Sequence, residues 1–304
     1  NLSVFFLKFI KLKLVCIPTY NEERKIKEVV KKALPHVDKV IVCDDGSTDK
    51  TAVLAEKAGA TVISHEKNLG YGAAISTLFD YCRKNNAEIM VTLDGDGQHN
   101  PDQIPDLINV ILKHNVDVVI GSRSLSDDKD LPSYRRTGIK IITSTINSAT
   151  NLKVTDSQSG FRAYSKAAID LMHITESGMA ASTEILVKIS NNGLSMAEVP
   201  ITVSYTGDTS TEHPVSHGAH VIGTTLKYVS IKHPMYFYGI PGILLFISGL
   251  IMGVSFLDSY LDPVAPKVLY GLILGSTISI LLGSMMIITS VLLFSMANLI
   301  RGTR

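Results

Sequence analysis

The chain has 304 residues, a formal net charge of +1 and three cysteines, and these values exclude several classes of protein. Neither the charge nor any basic stripe interleaved with aromatic residues supports nucleic-acid binding. The cysteines have no ligand-like spacing, which favours reduced, buried thiols over a disulfide framework or a zinc site; they are Cys16, Cys43 and Cys82. Residues up to about 233 resemble an ordinary soluble protein, and the remainder is strongly apolar.

Short apolar strands alternate with helices after a start, 1–11, that is predicted to be flexible. The predicted strands are 12–17, 39–43, 60–64, 87–93 and 116–120, and the predicted helices are 23–34, 50–58, 71–84 and 103–114. This alternation predicts an α/β fold with a doubly wound, mainly parallel sheet. In such sheets ligands bind at the carboxyl ends of the strands.

The order of elements is less regular in the second half of this domain, which is predicted to span 12–214. A charged stretch, 124–132, is predicted to be a mobile loop over the site, with a merely solvated connection as the alternative. Further helices are predicted at 139–150 and 183–190, a polar turn and strand at 156–163, and a last strand at 197–205.

The turn after the first strand excludes a dinucleotide-binding Rossmann domain. It reads Pro18-Thr19-Tyr20-Asn21-Glu22 and contains no glycine, and the chain also has no Walker A loop. The sheet is therefore expected to bind a nucleotide through side-chain carboxylates and a metal ion.

The turn after the fourth strand carries Asp94-Gly95-Asp96, two carboxylates that can approach one hard cation. An EF-hand loop also begins this way, but its sixth and twelfth positions here are His99 and Pro105, which excludes it. A polar turn without any ligand is the alternative interpretation.

The end of the chain predicts a membrane hairpin. The segments 234–257 and 268–300 contain no formal charge, and each exceeds the about 20 residues that span a bilayer. Lysines before the pair and arginines after it place both ends in the cytoplasm by the positive-inside rule. A basic amphipathic helix, 215–233, is predicted to lie on the membrane surface, with a core helix as the alternative. Glycines in the hairpin would permit close helix contact or a homo-oligomer.

Several motifs follow one another in an order that resembles the family 2 glycosyltransferases of GT-A fold. They are Pro18-Thr19-Tyr20-Asn21-Glu22, Asp44-Asp45-Gly46-Ser47-Thr48-Asp49, Asp94-Gly95-Asp96-Gly97-Gln98 and Ser159-Gly160-Phe161-Arg162-Ala163. The turn Asn68-Leu69-Gly70-Tyr71-Gly72 fits the same pattern. The resemblance covers about residues 13 to 233 and is strongest to the two-helix polyprenyl-phosphate sugar transferases, such as dolichyl-phosphate mannose and glucose synthases.

This resemblance implies roles for individual residues. Those expected to frame the donor nucleotide are Pro18, Tyr20, Glu22, Val42, Asp44, Asp94 and Gly95. The expected ligands of Mg²⁺ or Mn²⁺ are Asp94, Asp96 and Gln98. Arg123 and Arg136 would hold the acceptor phosphate, and Arg135 could replace Arg136.

Two further residues keep alternative roles under the same resemblance. Asp156 would orient a basic residue or the donor sugar, or act as a base. Arg162 is either a paired strand arginine or part of the site.

The implied reaction is an inverting transfer of a sugar from a nucleotide-diphosphate sugar to dolichyl or polyprenyl phosphate at the cytoplasmic membrane face. A phosphate monoester is largely ionised near neutral pH, so a general base is dispensable. Mannose synthases of this family have a Ser-Lys pair where this chain has Ser216-His217, and this difference favours UDP-glucose or UDP-N-acetylglucosamine over GDP-mannose. Alternatives are a processive polysaccharide synthase, disfavoured because the chain has no tryptophan, and a non-catalytic nucleotide-sugar-binding protein.

Overall fold

The structure, a computed structural model, describes residues 12–126, 133–150, 152–204, 230, 234–260 and 266–302. The chain divides into two compact units, 1–225 and 226–304. The predicted flexible start, almost all of the predicted interface helix and residues 127–132 of the charged loop lie outside the described residues. The predicted domain boundaries at 214 and 233 fall there too and stay predictions.

The first unit is built on a seven-stranded sheet with the order β3-β2-β1-β4-β6-β5-β7. Its strands are β1 (Lys13–Thr19), β2 (Lys39–Asp44), β3 (Thr61–Ser64), β4 (Ile89–Thr92), β5 (Val118–Ser122), β6 (Arg162–Ser165) and β7 (Met196–Pro200). All neighbours are parallel except β6, which runs antiparallel to both β4 and β5. The predicted α/β class with a mainly parallel sheet is confirmed.

Helices cover both faces of this sheet. They are α1 (Ile26–Ala33), α2 (Thr51–Lys57), α3 (Tyr71–Lys84), α4 (Ile104–His114), α5 (Ser133–Thr150), α6 (Lys166–Leu171) and α7 (Ala181–Asn191). Alternate residues of β1 enter two cores: Leu14 and Cys16 pack with α3 and α7, whereas Val15 and Ile17 pack with α1 and α4. Burial on both faces explains why the central strands read as continuous apolar runs.

The sheet brings the polar motifs to one edge. Strands β1, β2, β4 and β5 all run the same way, so their carboxyl ends lie together. Strand β6 runs the opposite way, and so its first residue, Arg162, pairs with Thr92 at the end of β4. The segment that enters β6 is thereby placed beside the Asp94-Gly95-Asp96 turn.

Some element boundaries differ from those predicted. Helix α5 begins at Ser133, six residues before the predicted start at 139. The prediction missed these residues because they include charged side chains and lack the apolar periodicity of an amphipathic helix. Helix α6 was not predicted; Ser165 caps it by accepting a hydrogen bond from Ala168 N at 3.3 Å. Strand β7 ends at Pro200, before the predicted end at 205.

The second unit contains two long helices, α8 (Ile240–Tyr260), preceded by a π turn Met235–Gly239, and α9 (Pro266–Gly302). Two segments, Met235–Leu257 and Tyr270–Met296, are long and apolar enough to cross a membrane.

Small residues let these two helices pack closely. A side chain at Gly283 would meet the backbone of Phe246 at 2.6 Å, and Ser276 Oγ donates a hydrogen bond to Gly249 O at 2.8 Å. Such contacts are typical of helices packed in a membrane. Gly249 and Gly283 thus make the predicted close helix contact, and a homo-oligomer stays a prediction.

Candidate active site

Hydrogen bonds join the turns that follow β1 and β2 into one wall. Asn21 adopts a left-handed conformation with φ 56°, which asparagine tolerates better than most residues. Its backbone N donates to Ser47 Oγ at 2.9 Å, and its side-chain Oδ1 accepts from Thr48 N at 2.9 Å. Glu22 N donates to Thr51 Oγ1 at 2.8 Å. The first two motifs therefore form one rigid structure.

The residues expected to frame the nucleoside lie at this wall. Pro18 and Val42 are buried in their strands, and Tyr20 is exposed beyond β1. Asp44 is 4% exposed, and its Oδ1 accepts no hydrogen bond from the residues that the structure describes. Thr19, its partner in the β1–β2 register, has an Oγ1 that is likewise unpaired among the described residues. Buried oxygens without partners are costly, so this end of the sheet suits a ligand that supplies hydrogen bonds.

Asp45 is a structural carboxylate to which the sequence analysis gave no role of its own. It is buried, and it accepts hydrogen bonds from Leu69 N at 2.9 Å and Gly70 N at 2.8 Å. His65 Nδ1 lies 2.7 Å from its Oδ1. Asp45 therefore fixes the Asn68-Leu69-Gly70 turn against the second motif. Its place beside Asp44 at a strand end was the only signal in the sequence.

The N-terminus of α3 is closed by the protein itself. Ser177 O accepts hydrogen bonds from Gly72 N at 2.7 Å and from Ala73 N at 3.2 Å. The carboxylate of Glu184 holds this loop by accepting from Thr175 N at 3.0 Å and Glu176 N at 2.9 Å. A phosphate group therefore has no access to these helix amides, a point that sequence reasoning did not address.

The Asp94-Gly95-Asp96 turn is packed tightly on both sides. A side chain at Gly95 would come within 2.9 Å of Thr19 Oγ1. A side chain at Gly160 would come within 2.6 Å and 2.7 Å of the two Asp94 carboxylate oxygens. The absence of a side chain at these two glycines therefore lets the neighbouring motifs approach closely, and Gly160 packs directly against the Asp94 carboxylate.

Carboxyl groups crowd this turn. Burial raises the pKa of Asp96 to about 6, and the neighbouring Asp94 adds to the rise. Burial, followed by the charges of Asp96, Asp49 and Asp94, raises the pKa of Glu22 to about 7. Such shifts mean that the carboxylates lack sufficient positive charge nearby.

This donor set fits a divalent cation that keeps several outside ligands. In the described part of the chain, no group of three or more His, Cys, Asp or Glu side chains has a metal-binding arrangement. Mg²⁺ is commonly held by one or two carboxylates and completes its shell with water and substrate phosphate oxygens. Asp94 and Asp96 match that pattern. The position of Gln98 next to them is set by its backbone N, which donates to Asp96 Oδ1 at 2.9 Å.

Arg123 and Asp156, both predicted site residues, are paired. Arg123 Nε and Nη2 donate to the two Asp156 oxygens at 2.6 Å and 2.9 Å, and Arg123 N lies 3.2 Å from Asp156 Oδ2. Burial alone would raise the pKa of Asp156, but the hydrogen bonds and charge of Arg123 hold it below its ordinary value. Arg136 lies in α5, and its side chain is outside the described residues, as is that of Arg135.

Arg162 has a structural role. It is 2% exposed, and its guanidinium donates to Ser159 O and Ser157 O, both at 2.8 Å, and to Ser182 O at 3.4 Å. Backbone carbonyls thus satisfy it, and it fixes the turn that carries Asp156. Of the two predicted alternatives, the structural one is correct, although its partners are carbonyls and not a carboxylate.

A cavity of about 850 Å³ adjoins the acidic turn. Its lining residues include Lys25, Gln98, His99, Ser126 and Val203. Neither Asp94 nor Asp96 lines the cavity. Residues 97–99, which follow the acidic pair in the chain, do line it and so lie between the two.

A mixed sheet with acidic turns at its carboxyl edge is the architecture of GT-A glycosyltransferases. The fold is similar to glucosyl-3-phosphoglycerate synthase from Mycobacterium tuberculosis, with a TM-score of 0.60 and 22% identity over 73% of this chain and 81% of that one. The chain belongs to glycosyl transferase family 2, whose profile matches residues 14–171.

Relatives with named activities are polyprenyl-phosphate sugar transferases. The chain is 33% identical over 244 residues to a UDP-N-acetylglucosamine–dolichyl-phosphate N-acetylglucosaminyltransferase of Methanococcus voltae, covering 72% of this chain and 94% of the relative. It is 30% identical over 203 residues to a polyprenol monophosphomannose synthase of Mycolicibacterium smegmatis, covering 62% of this chain and 76% of the relative. The names of these two relatives specify different sugars, N-acetylglucosamine and mannose.

Proposed function

We propose that this protein is a metal-dependent, inverting glycosyltransferase that moves a sugar from a nucleotide-diphosphate sugar to dolichyl or another polyprenyl phosphate. The observation that carries the proposal is the convergence at one sheet edge of an acidic pair, Asp94 and Asp96, with the Arg123–Asp156 pair. The first pair suits a diphosphate with its cation, and the second suits a phosphate acceptor.

The donor nucleotide is proposed to lie along the wall made by the turns after β1 and β2. Asp44 Oδ1, which has no partner among the described residues, would accept a hydrogen bond from the base. The pocket around the base would be shaped by Pro18, Tyr20, Val42 and Glu22. Asp94, Asp96 and Gln98 would hold Mg²⁺ or Mn²⁺, with Gly95 allowing the diphosphate to come close. A divalent ion bound there would offset the charge that develops on the departing nucleoside diphosphate.

The acceptor phosphate is proposed to bind Arg123, with Arg136 as a second cation. Asp156 accepts hydrogen bonds from Nε and Nη2 of Arg123 and so fixes the plane of the guanidinium. That plane determines the direction from which the guanidinium can bind a phosphate. Asp156 is thus a positioning residue and not the base. No base is needed, because a phosphate monoester is already largely ionised at neutral pH. Its oxygen would attack the anomeric carbon opposite the leaving diphosphate.

The two apolar helices are proposed to anchor residues 12–214 at the cytoplasmic face of the membrane. Support comes from the candidate spans and from the lysines and arginines that flank them in the sequence. For the donor, UDP-glucose or UDP-N-acetylglucosamine is proposed first, and GDP-mannose is the alternative. The N-acetylglucosaminyltransferase relative, which covers more of this chain, supports that order.

The test is transfer of radiolabelled sugar from a panel of UDP- and GDP-sugars to polyprenyl phosphate by the full-length chain in detergent. Label entering the lipid phase from one donor, and abolished by EDTA, is the expected result. Nucleotide binding without lipid-phase label from any donor would contradict the transferase proposal and favour a non-catalytic binding protein.

A further inference from the structure

His99 lies directly behind the acidic turn and is held there firmly. Its side chain is 6% exposed, and its Nε2 lies 3.3 Å from Asp94 Oδ2. The backbone is held as well: His99 forms a bridge with Val203, and Ser204 N donates to Gln98 O at 2.9 Å. The ring therefore cannot follow Asp94 if that carboxylate turns away.

The surroundings of the ring show which nitrogen faces the Asp94 carboxylate. Nδ1 is buried and has no hydrogen-bond partner within the described residues. Nε2 faces a carboxylate, which in its ionised form can only accept. Nε2 is therefore the ring nitrogen placed to interact with Asp94, across a contact of 3.3 Å.

The fourth motif supports this contact from behind. The ring of Phe161 packs on His99 with 5.4 Å between centroids. The neighbouring Gly160 carbonyl accepts a hydrogen bond from Thr92 Oγ1 at 2.7 Å, which fixes the peptide against which the Asp94 carboxylate rests. His99 and Gly160 therefore limit the rotation of Asp94 by separate contacts.

We infer that His99 is a positioning residue for the divalent cation: through Nε2–H it fixes the orientation of the Asp94 carboxylate, and Phe161 fixes His99. The inference rests on the proposed metal site at Asp94 and Asp96. Partners behind a ligand typically account for about 10- to 100-fold of metal affinity.

The experiment compares two substitutions of nearly equal size. In His99→Gln the amide nitrogen can reach the position of Nε2, whereas in His99→Asn it reaches only that of Nδ1. Mn²⁺ binding to the full-length protein in detergent is measured by electron paramagnetic resonance of the free ion, with UDP and separately with GDP. We expect His99→Gln to keep the wild-type affinity and His99→Asn to bind Mn²⁺ about 10- to 100-fold more weakly.

Thermal unfolding followed by circular dichroism separates positioning from packing. Equal weakening in both variants, together with equally lowered melting temperatures, would mean that His99 only fills space and would overturn the inference. Wild-type affinity in His99→Asn would overturn it as well. If His99→Asn does not fold, Gly160→Ala tests the same carboxylate from its other side, and unchanged Mn²⁺ affinity there would refute the positioning of Asp94.

Asp94→Asn distinguishes failure of the inference from failure of the proposed metal site. Loss of Mn²⁺ binding in Asp94→Asn with no effect of His99→Asn refutes the role of His99 alone. Mn²⁺ binding that is absent from the wild type with both nucleotides, or unchanged by Asp94→Asn, would overturn the metal site and the role of His99 together.

Discussion

Arg123 and Asp156 form a bidentate ion pair in which the Asp156 side chain is completely buried and the Arg123 side chain is 16% exposed. Asp156 is held in turn by the backbone of the 156–158 turn, where Gln158 N donates to Asp156 Oδ1 at 3.2 Å. Removing Arg123 altogether would leave this carboxylate buried without its counter-charge. The role of Arg123 toward an acceptor phosphate is therefore best tested by a substitution that keeps the positive charge.

Arg123→Lys is expected to raise the KM for polyprenyl phosphate on the order of tenfold and to leave the KM for the donor unchanged, because lysine lacks the planar fork that binds phosphate through two hydrogen bonds. Steady-state kinetics with each substrate varied in turn measures both. If Asp156 acts by orienting Arg123, Asp156→Asn has the same effect and the double variant is no worse than either single one. A rise in the donor KM instead would contradict the acceptor assignment.

Asp156→Asn is also expected to lower stability in a pH-dependent way. Breaking a buried ion pair costs about 3 kcal/mol. Since the folded-state pKa of Asp156 lies below its ordinary value near 4, its contribution is fully present above about pH 4 and is lost as the pH falls through the folded pKa. The melting-temperature difference between wild type and variant, followed by circular dichroism, should therefore shrink in acid. Glu56→Gln, at an exposed helix position, is the control and should show no such trend.

Asp96→Asn is expected to lower transfer on the order of 10³-fold, because charge stabilisation by a bound metal supplies several kcal/mol. The assay is sugar transfer into the lipid phase after EDTA treatment and stepwise return of Mn²⁺. Wild-type activity should recover with Mn²⁺, and that of the variant should not. Asp106→Asn makes the same chemical change at an exposed position of α4 and should behave as the wild type. Near-normal turnover by Asp96→Asn would contradict the metal mechanism.

The sequence predicted which residues meet at the sheet edge and offered a basic residue as one partner of Asp156, but it did not identify that residue as Arg123. Strand alternation was enough to bring Asp44 and Asp94 to the same edge, and the range predicted for α3 agrees with the observed Tyr71–Lys84. The Arg123–Asp156 pair joins residues 33 positions apart through the insertion of β6 between β4 and β5. Periodicity carries no information about that strand order, because it reports only local burial.

Arg162 illustrates a second limit of prediction from sequence, which is that the partners of a buried side chain depend on packing between distant segments. An arginine in a sequence is expected to bind an acid or a phosphate, and nothing nearby indicates that backbone carbonyls would satisfy it. Those carbonyls, at Ser157, Ser159 and Ser182, converge only after β6 and α7 are packed. The position of His99 behind Asp94 depends in the same way on the bridge with Val203, which is distant in the chain.

Gly283→Ala is expected to destabilise the helical hairpin, whereas Gly271→Ala is not. An added Cβ at Gly283 would lie 2.6 Å from Phe246 N and 2.7 Å from Gly242 O, and a backbone cannot rotate away as a side chain can. At Gly271 nothing lies within 4 Å. Each substitution should stabilise the helix by about 1 kcal/mol through its higher helix propensity. The difference in stability between the two variants therefore isolates the packing cost at Gly283, about 1–3 kcal/mol. Thermal loss of helical circular dichroism in detergent measures it, and equal melting temperatures would mean that α8 and α9 do not pack through Gly283.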